Sequence, residues 1–303
     1  MKKTKLGILF AVTATSLALF TACASKEEKK DAKGELRLAS KGFTENEIVA
    51  EVYSLALQDA GYDVERVPDV SSAVIHTSLV NGEVDLYPEY TGTGLISVLG
   101  MEPQTDEKAV YETVKTEYDK QFSVTWLDYA PANDGQGLAI RTEVAKKYGI
   151  STISDLQKNA DKIRFASQGE FDIRSDGIPA LEATYGKFAW KSSKVYDNAL
   201  KYQVLENDEA DVTPVYTTEG KLTEEEFTLL EDDKHVWPPY NLAPIVRNET
   251  LEKYPDVADV LNKISEQLTT KELTKLNAKV DIDKEEVADV ADVAEEFYDS
   301  INK

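Results

Sequence analysis

From residue 35 onwards, the apolar positions of the chain follow the rhythm of strands and the rhythm of helices in turn. Residues 35–40 alternate like a strand, and the next stretch spaces its apolar residues at helical intervals behind Thr44 and Glu47, a capping-box pair. The predicted strands lie at 35–40, 62–67 and 84–86, and the predicted helices at 44–61 and 71–81. Strands that alternate with helices of this length predict an α/β fold with a mostly parallel sheet.

Two motifs occur twice in the chain at nearly the same spacing. LASKG at 38–42 recurs as FASQG at 165–169, an offset of 127. NGEVDLYPEY at 81–90 recurs as NDEADVTPVY at 207–216, an offset of 126, with five of ten positions identical. We infer two α/β lobes of one design, each with a Tyr just past the carboxyl end of a strand, where open α/β sheets bind ligands.

The N-terminus carries a targeting signal. Three lysines precede an apolar run over 6–20 and a small-residue cleavage site, which predicts a signal peptide over 1–22. Cys23, the only cysteine, follows directly, and the pattern resembles a bacterial lipobox except that Phe20 replaces the usual Leu. We expect lipid on Cys23, a flexible tether over 23–34, and an extracytoplasmic protein anchored to the outer face of the bacterial cell membrane. A plain secretory signal with an incidental Cys is the alternative.

Composition excludes several classes of protein. The 303 residues carry a net charge of −22, which argues against nucleic acid as a partner. One Cys and two distant histidines, His76 and His235, leave little for a metal, so we expect neither a metal nor a cofactor. No Ser/His/Asp arrangement or phosphate-binding Gly loop is recognisable, so we expect no enzyme. We interpret the acidic charge as solvation of the surface.

Several stretches together resemble one family, the osmoprotectant-binding proteins of ABC importers, which bind glycine betaine, carnitine or choline. They are SKGFTE at 40–45, GEVDLYPEYTGT at 82–93, FDIRSDGIP at 171–179, VYTTEG at 215–220 and PPYNLAP at 238–244. The resemblance implies a type II periplasmic-binding-protein fold whose chain crosses between lobes near 136–140 and 240–246. Lobe 1 would then comprise 35–137 and 244–303, and lobe 2 would comprise 138–243.

A quaternary ammonium group has no hydrogen-bond donor, so aromatic faces and shape must recognise it. The resemblance places Tyr90, Tyr216 and Tyr240 in an aromatic cage, and it places Gln136 where a fourth cage Tyr is expected. Gln136 suggests weaker binding of glycine betaine or a bulkier ligand. Alternatively, Tyr129 or Trp126 supplies a replacement ring, although Trp126 fits a core position better.

The ligand's carboxylate suits cationic and hydroxyl side chains. The resemblance gives this role to Lys41, Thr93 and Arg174. The alternatives are a solvated turn for Lys41, a helix cap for Thr93, and an ion pair of Arg174 with a neighbouring Asp.

The function expected from the resemblance is capture of a betaine by lobe closure and delivery to an ABC permease and its ATPase. We expect a monomer. The alternatives are a binder of a bulkier trimethylammonium compound such as ergothioneine, and a surface lipoprotein that senses the same ligands.

Overall fold

The computed structural model describes residues 32–173, 175–282 and 290–302. The predicted signal peptide, Cys23 and Arg174 lie outside the described residues. From Ala32 onwards the chain forms one compact unit that contains two separate five-stranded sheets.

The strands are β1 (Glu35–Lys41), β2 (Asp63–Val70), β3 (Leu86–Tyr90), β4 (Val124–Trp126), β5 (Gln136–Arg141), β6 (Arg164–Ser167), β7 (Ser192–Val195), β8 (Val212–Tyr216), β9 (Phe227–Leu229) and β10 (Leu242–Arg247). The α-helices are α1 (Thr44–Asp59), α2 (Ile75–Val80), α3 (Thr91–Thr93), α4 (Glu107–Phe122), α5 (Thr142–Tyr148), α6 (Ile153–Lys158), α7 (Glu170–Ile173), α8 (Ile178–Tyr185), α9 (Lys201–Glu206), α10 (Asn248–Lys253), α11 (Asp256–Ser265), α12 (Thr270–Asp281) and α13 (Val290–Ile301). Short 3₁₀ turns occur at Ala160–Lys162, Asn198–Leu200 and Gly220–Thr223, and a π turn at Gly94–Val98.

The two sheets have the same topology. One has the order β2-β1-β3-β10-β4 and the other the order β7-β6-β8-β5-β9. In each, three strands run parallel and the fourth in line is antiparallel to them. We call the first sheet and the helices packed on it lobe 1, and the second sheet with its helices lobe 2. This arrangement confirms the α/β fold and the duplication that the repeats predicted.

The segments predicted to cross between the lobes prove to be strands. Residues 136–140 belong to β5 and residues 242–246 to β10, because their apolar side chains are buried within the sheets. The chain crosses in the segments before them, 127–135 and 230–241, which meet in a single antiparallel bridge between Asn133 and Asn241. Backbone hydrogen bonds hold the first crossing segment, among them those from Ala132 N–H to the Leu268 carbonyl and from Asp134 N–H to the Tyr240 carbonyl.

An arginine–aspartate brace fixes each parallel sheet at the edge away from the cleft. Asp85 accepts hydrogen bonds from the backbone N–H of Arg37 at 2.8 Å and from its guanidinium at 2.8 and 3.1 Å. Asp211 accepts the same three bonds from Arg164, at 2.8, 2.6 and 3.0 Å. Each pair repeats the other at the offset of the sequence motifs, so the duplication extends to these partly buried ion pairs.

The start of α1 differs from the prediction. Thr44 is the first helical residue and Phe43 precedes the helix without a side-chain cap, so no capping box forms. The Thr44 hydroxyl donates instead to Asp281 Oδ1 at 2.9 Å, at the end of α12. In the C-terminal helix α13, Val293 is buried and Val290 packs on the lobe 1 core.

Candidate ligand-binding site

A cleft of about 580 Å³ lies where the carboxyl ends of the parallel strands of the two lobes face each other. Its size falls within the range of about 300–1,000 Å³ that is typical of small-molecule sites. Six of the residues predicted from the sequence line it: Lys41, Tyr90, Thr93, Gln136, Tyr216 and Tyr240. Residues from both lobes and from a crossing segment therefore converge on one site.

Tyr90 and Tyr216 are the last residues of the equivalent strands β3 and β8, but their environments differ. Tyr90 is 3% exposed, and its hydroxyl donates to Glu45 Oε1 at 2.9 Å. Burial, and then the charge of Glu45, raise the pKa of Tyr90 well above its ordinary value, so the ring stays neutral. Tyr216 is 42% exposed at the edge of the cleft. Lobe 1 thus presents a fixed ring and lobe 2 an accessible one.

Tyr240 lies in the second crossing segment and contacts both lobes. Its hydroxyl donates to Asp176 Oδ2 in lobe 2 at 2.9 Å, and its backbone N–H donates to Asn133 Oδ1 at 2.7 Å. A Cβ at Gly92 in lobe 1 would lie 2.7 Å from the ring, so only glycine allows this approach. Tyr240 is consequently held between the lobes.

Gln136 begins β5 and pairs directly with Tyr216, just as Leu242 pairs with Tyr90 in lobe 1. Neither proposed replacement ring lines the cleft: Trp126 is fully buried against Tyr118, and Tyr129 packs on Tyr111. The expectation that Trp126 belongs to the core is confirmed.

Phe43 is a cleft residue that sequence reasoning missed. It lines the cleft, is 39% exposed, and its ring centroid lies 6.0 Å from that of Tyr90. The available signal was an aromatic residue in the turn between β1 and α1, inside the SKGFTE motif. Phe43 therefore adds an exposed aromatic face to the cleft beside Tyr90.

Lys41 and Thr93 both line the cleft, but neither fits its alternative interpretation. Lys41 is 3% exposed, so it is not a solvated turn residue. Its ammonium donates to the buried Glu89 and lies 5.3 Å from the centroid of the Tyr90 ring. Thr93 stands at the N-cap position of the π turn Gly94–Val98, but its side chain makes no capping hydrogen bond.

The sequence and the fold are similar to those of known proteins. A family model described as the substrate-binding domain of the ABC-type glycine betaine transport system matches residues 34–300. The chain belongs to this family.

Relatives and solved structures are consistent with the family assignment. The glycine-betaine-binding protein of Pseudomonas aeruginosa is 33% identical, over 90% of this chain and 91% of that protein. The carnitine transport binding protein OpuCC of Listeria monocytogenes is 28% identical, over 100% and 98%. The ergothioneine transport permease/ergothioneine binding protein EgtU of Helicobacter pylori is 31% identical over 90% of this chain, which spans only 48% of that protein.

Among solved structures, a glycine betaine/carnitine/choline ABC transporter protein superposes with a TM-score of 0.80 at 26% identity, covering 88% of this chain and 98% of that one. Apo YehZ of Escherichia coli gives 0.73 at 26% identity with the same coverage. The chain is thus a substrate-binding component of an ABC transport system of the glycine betaine and carnitine class, as the resemblance implied.

This substrate-binding domain has an acidic corner in its cleft that the sequence did not point to. We define the acceptor corner as Glu45, Asp134, Thr218 and Asn277, which all line the cleft. Asn277 Nδ2 donates to Glu45 Oε2 at 3.1 Å and to the Thr218 carbonyl at 2.8 Å. The Thr218 hydroxyl donates to Asp134 Oδ1 at 2.6 Å. The corner therefore links α1, α12, the end of β8 and the first crossing segment.

Both carboxyls of the acceptor corner are hard to ionise. Burial raises the pKa of Glu45, against hydrogen bonds that favour its charged form. Burial, and then the nearby Glu45, raise the pKa of Asp134 well above its ordinary value.

Within 32–173, 175–282 and 290–302, no cluster of His, Cys, Asp and Glu suits a metal ion, and no helix is long and apolar enough to cross a membrane.

Proposed function

We propose that this protein captures a trimethylammonium betaine between its lobes and delivers it to a membrane permease. The observation that carries the proposal is the convergence of three tyrosine rings from different parts of the fold on one cleft. Tyr90 comes from lobe 1, Tyr216 from lobe 2 and Tyr240 from a crossing segment. Each ring contributes about 0.5–2 kcal/mol to binding of a desolvated cation. Only an arrangement that brings the lobes together presents all three rings, which favours capture by closure.

We propose that Phe43 supplies a fourth ring in place of residue 136. Its position beside Tyr90 puts it on the lobe 1 wall of the cleft. The Gln136 amide then leaves room, and hydrogen-bonding capacity, on the opposite wall. We propose that the rigid lobes are bounded by the crossing segments, as 35–126 with 242–303 and as 136–229, and not at 137 and 243, because residues 136–137 belong to β5 and residues 242–243 to β10.

For the carboxylate of the ligand we propose Lys41, Thr93 and Arg174. Lys41 and Thr93 both line the cleft. Because the Lys41 ammonium also neutralises Glu89, its attraction for a ligand anion is reduced. Arg174 is therefore the residue to which we assign most of the anion recognition.

We propose that the protein acts as a monomer at the outer face of the membrane, held by lipid on Cys23. The tether up to residue 34 would let the body reach a permease in the same membrane. Labelling with a palmitate precursor in a lipoprotein-processing host tests the anchor, with Cys23→Ala as the unlabelled control. Label retained in Cys23→Ala would contradict it.

Calorimetric titration of residues 24–303, unfolded and refolded to remove carried ligand, tests the proposed function. The ligands are glycine betaine, carnitine, proline betaine, ergothioneine and choline. We expect binding of at least one carboxylated member, and heats at the baseline for all five would refute the proposal.

Two substitutions test the division of the site. Tyr216→Ala should weaken every trimethylammonium ligand by about 10-fold. Tyr148→Ala should not, because Tyr148 packs on the lobe 2 core and does not line the cleft. Arg174→Ala should weaken carboxylated ligands far more than choline. Equal loss of choline and betaines in Arg174→Ala would contradict the assignment of the anion site.

Ergothioneine or a similarly bulky trimethylammonium compound is a second candidate ligand. Gln136 favours it, because an amide stands where a ring would otherwise fill the cleft. The same titration separates the candidates, since a bulky preference appears as tighter binding of ergothioneine than of glycine betaine.

A further inference from the structure

The acceptor corner contains more hydrogen-bond acceptors than the protein satisfies. Asn277 Oδ1 has no hydrogen-bond partner among the described residues, and the Asn277 side chain is 4% exposed. Both hydrogens of an amide group belong to its nitrogen, and Asn277 Nδ2 already donates to Glu45 and to the Thr218 carbonyl. A buried acceptor without a donor destabilises the site until something donates to it.

The donors nearby are already engaged with the corner. The Tyr90 hydroxyl donates to Glu45, and the Thr218 hydroxyl donates to Asp134. Lys41 is the one cation among the described residues that line the cleft, and its ammonium is bonded to Glu89. Glu219, the next acid along the wall, is bonded to Lys201 and Tyr202 instead. The carboxyls of Glu45 and Asp134 thus face the cleft without a basic partner among these residues.

The proposed cage alone does not use this corner. A trimethylammonium group and a carboxylate, the two halves of glycine betaine, offer no N–H or O–H. The corner is joined to the cage through the hydrogen bond from Tyr90 to Glu45, so a group within a few bonds of the bound ammonium can reach it.

We propose that the preferred ligand is a trimethylammonium compound whose body carries a hydrogen-bond donor, a hydroxyl or a ring N–H, and that Glu45, Asp134 and Asn277 select it. This inference rests on the proposed function and deepens it by naming the ligand class. The donor hydrogen-bonds to the acceptor corner while the ammonium occupies the cage. Glycine betaine fills the cage and leaves the corner unsatisfied.

Two matched ligand pairs test the selection. Carnitine and γ-butyrobetaine differ by one hydroxyl, and N,N,N-trimethylhistidine and N,N,N-trimethylphenylalanine differ in ring N–H groups at similar size. We expect the donor-bearing member of at least one pair to bind about 10-fold more tightly or better, since the member without a donor leaves the buried Asn277 Oδ1 unsatisfied. Equal affinity within both pairs would overturn the inference.

Variants then locate the effect. Glu45→Gln and Asp134→Asn keep the side-chain shape and should reduce the within-pair ratio at least threefold. Asp161→Asn, on the exposed surface of lobe 2, should leave the ratio unchanged. If Glu45→Gln unfolds, Asp134→Asn and the ligand pairs measured on the wild type still test whether the acceptor corner selects donor-bearing ligands. A ratio unchanged in both folded variants would place the selection elsewhere and overturn the assignment.

The outcomes also separate this inference from the proposed function. Binding of glycine betaine and both members of each pair with equal affinity would leave the cage standing and reject the acceptor corner. Absence of binding by glycine betaine, choline and all four matched ligands would reject both proposals.

Discussion

Lobe 1 and lobe 2 share a scaffold down to individual side chains, yet they present different groups to the cleft. Arg37 and Asp85 in lobe 1 repeat as Arg164 and Asp211 in lobe 2. At the cleft, by contrast, the positions paired with the two strand-end tyrosines hold Leu242 and Gln136.

The tyrosines themselves also differ. Tyr90 is buried and bonded to Glu45, whereas Tyr216 is 42% exposed. The position of Glu45 corresponds at the repeat offset to Asp172, which accepts a hydrogen bond from Ser167 at the end of β6. Duplication has thus kept the residues that build each sheet and changed those that line the cleft. At the paired positions, lobe 1 presents a buried ring and lobe 2 a more exposed one.

The largest effect on stability should come from removing the arginine–aspartate brace that the two lobes share. Asp85→Ala and Asp211→Ala should each lower the free energy of unfolding by about 2–3 kcal/mol, because each removes the acceptor of three hydrogen bonds from an arginine at a partly buried site. The exposed Asp208, which pairs with the same Arg164 and has a φ of +57°, gives a control: Asp208→Asn, which suits this backbone, should cost below about 1 kcal/mol. Urea unfolding measures all three. A large loss in only one lobe would show that the braces are not equivalent.

The Asp211 brace also sets a pH dependence. Burial disfavours its carboxylate, but hydrogen bonds from Arg164 outweigh burial and lower the pKa of Asp211. A lowered pKa in the folded state means that the brace stabilises the protein above the ordinary carboxyl pKa and is lost as the pH falls through the lowered value. The difference in stability between wild type and Asp211→Ala should therefore shrink in acid.

The shared scaffold could be predicted from the sequence, and much of the cleft could not. The repeats gave the two sheets and the equivalence of Tyr90 and Tyr216, because strand and turn patterns are local. Glu45 and Asn277 are 232 positions apart, and only the packing of α12 across both lobes brings them together. Phe43 was missed because exposure of an aromatic side chain depends on the neighbouring elements. The crossing segments were misplaced because strand-forming residues follow them directly.

A second comparison concerns contact between the lobes. The turn at Gly220 in lobe 2 packs on α12, and a Cβ there would lie 2.6 Å from backbone atoms of Ala278. We expect Gly220→Ala to disfavour this arrangement by about 2 kcal/mol and to weaken all ligands by the same factor, about 30-fold. Gly149→Ala is the control: an alanine at this φ of +65° strains the backbone of lobe 2, but its Cβ has no atom within 4 Å and so does not disturb the contact between the lobes. Ligand-dependent losses in Gly220→Ala would argue against an effect on closure.

The acceptor corner should make affinity depend on pH. The raised pKa values of Glu45 and Asp134 mean that the empty site retains a proton above the ordinary carboxyl pKa, and a bound cation favours its release. Affinity for choline should rise with pH, by at most about tenfold per unit for one released proton. The other charged or titratable groups among the described residues that line the cleft are Lys41, Tyr90, Tyr216, Glu219, Tyr240 and Asp281.

The raised pKa values of Glu45 and Asp134 also predict that the stability of the ligand-free protein falls as the pH rises, whereas its affinity for choline increases. A carboxyl with a raised pKa in the folded state stabilises the fold below its ordinary pKa, and this stability is lost as the pH rises through the raised value.

Calorimetric titrations with choline in buffers of different ionisation enthalpy count the protons that binding releases, and Asp134→Asn is expected to release fewer. An affinity for choline that is flat from pH 5 to 8 would contradict a role for these carboxyls.

The smallest effect, about 1 kcal/mol in binding free energy, should come from substitutions at residue 136, where the two lobes differ. Gln136→Tyr adds a ring opposite Tyr216, where the amide now lines the cleft, so it should tighten glycine betaine about fivefold relative to carnitine. Gln136→Leu copies Leu242 of lobe 1 and removes the amide without adding a π-face. It should therefore leave glycine betaine no tighter than wild type, because shape alone does not replace the attraction of a ring for the ammonium. Tighter binding of glycine betaine by both variants would show that loss of the polar amide, and not the added ring, increases the affinity. No change in either variant would mean that residue 136 does not contact the ligand.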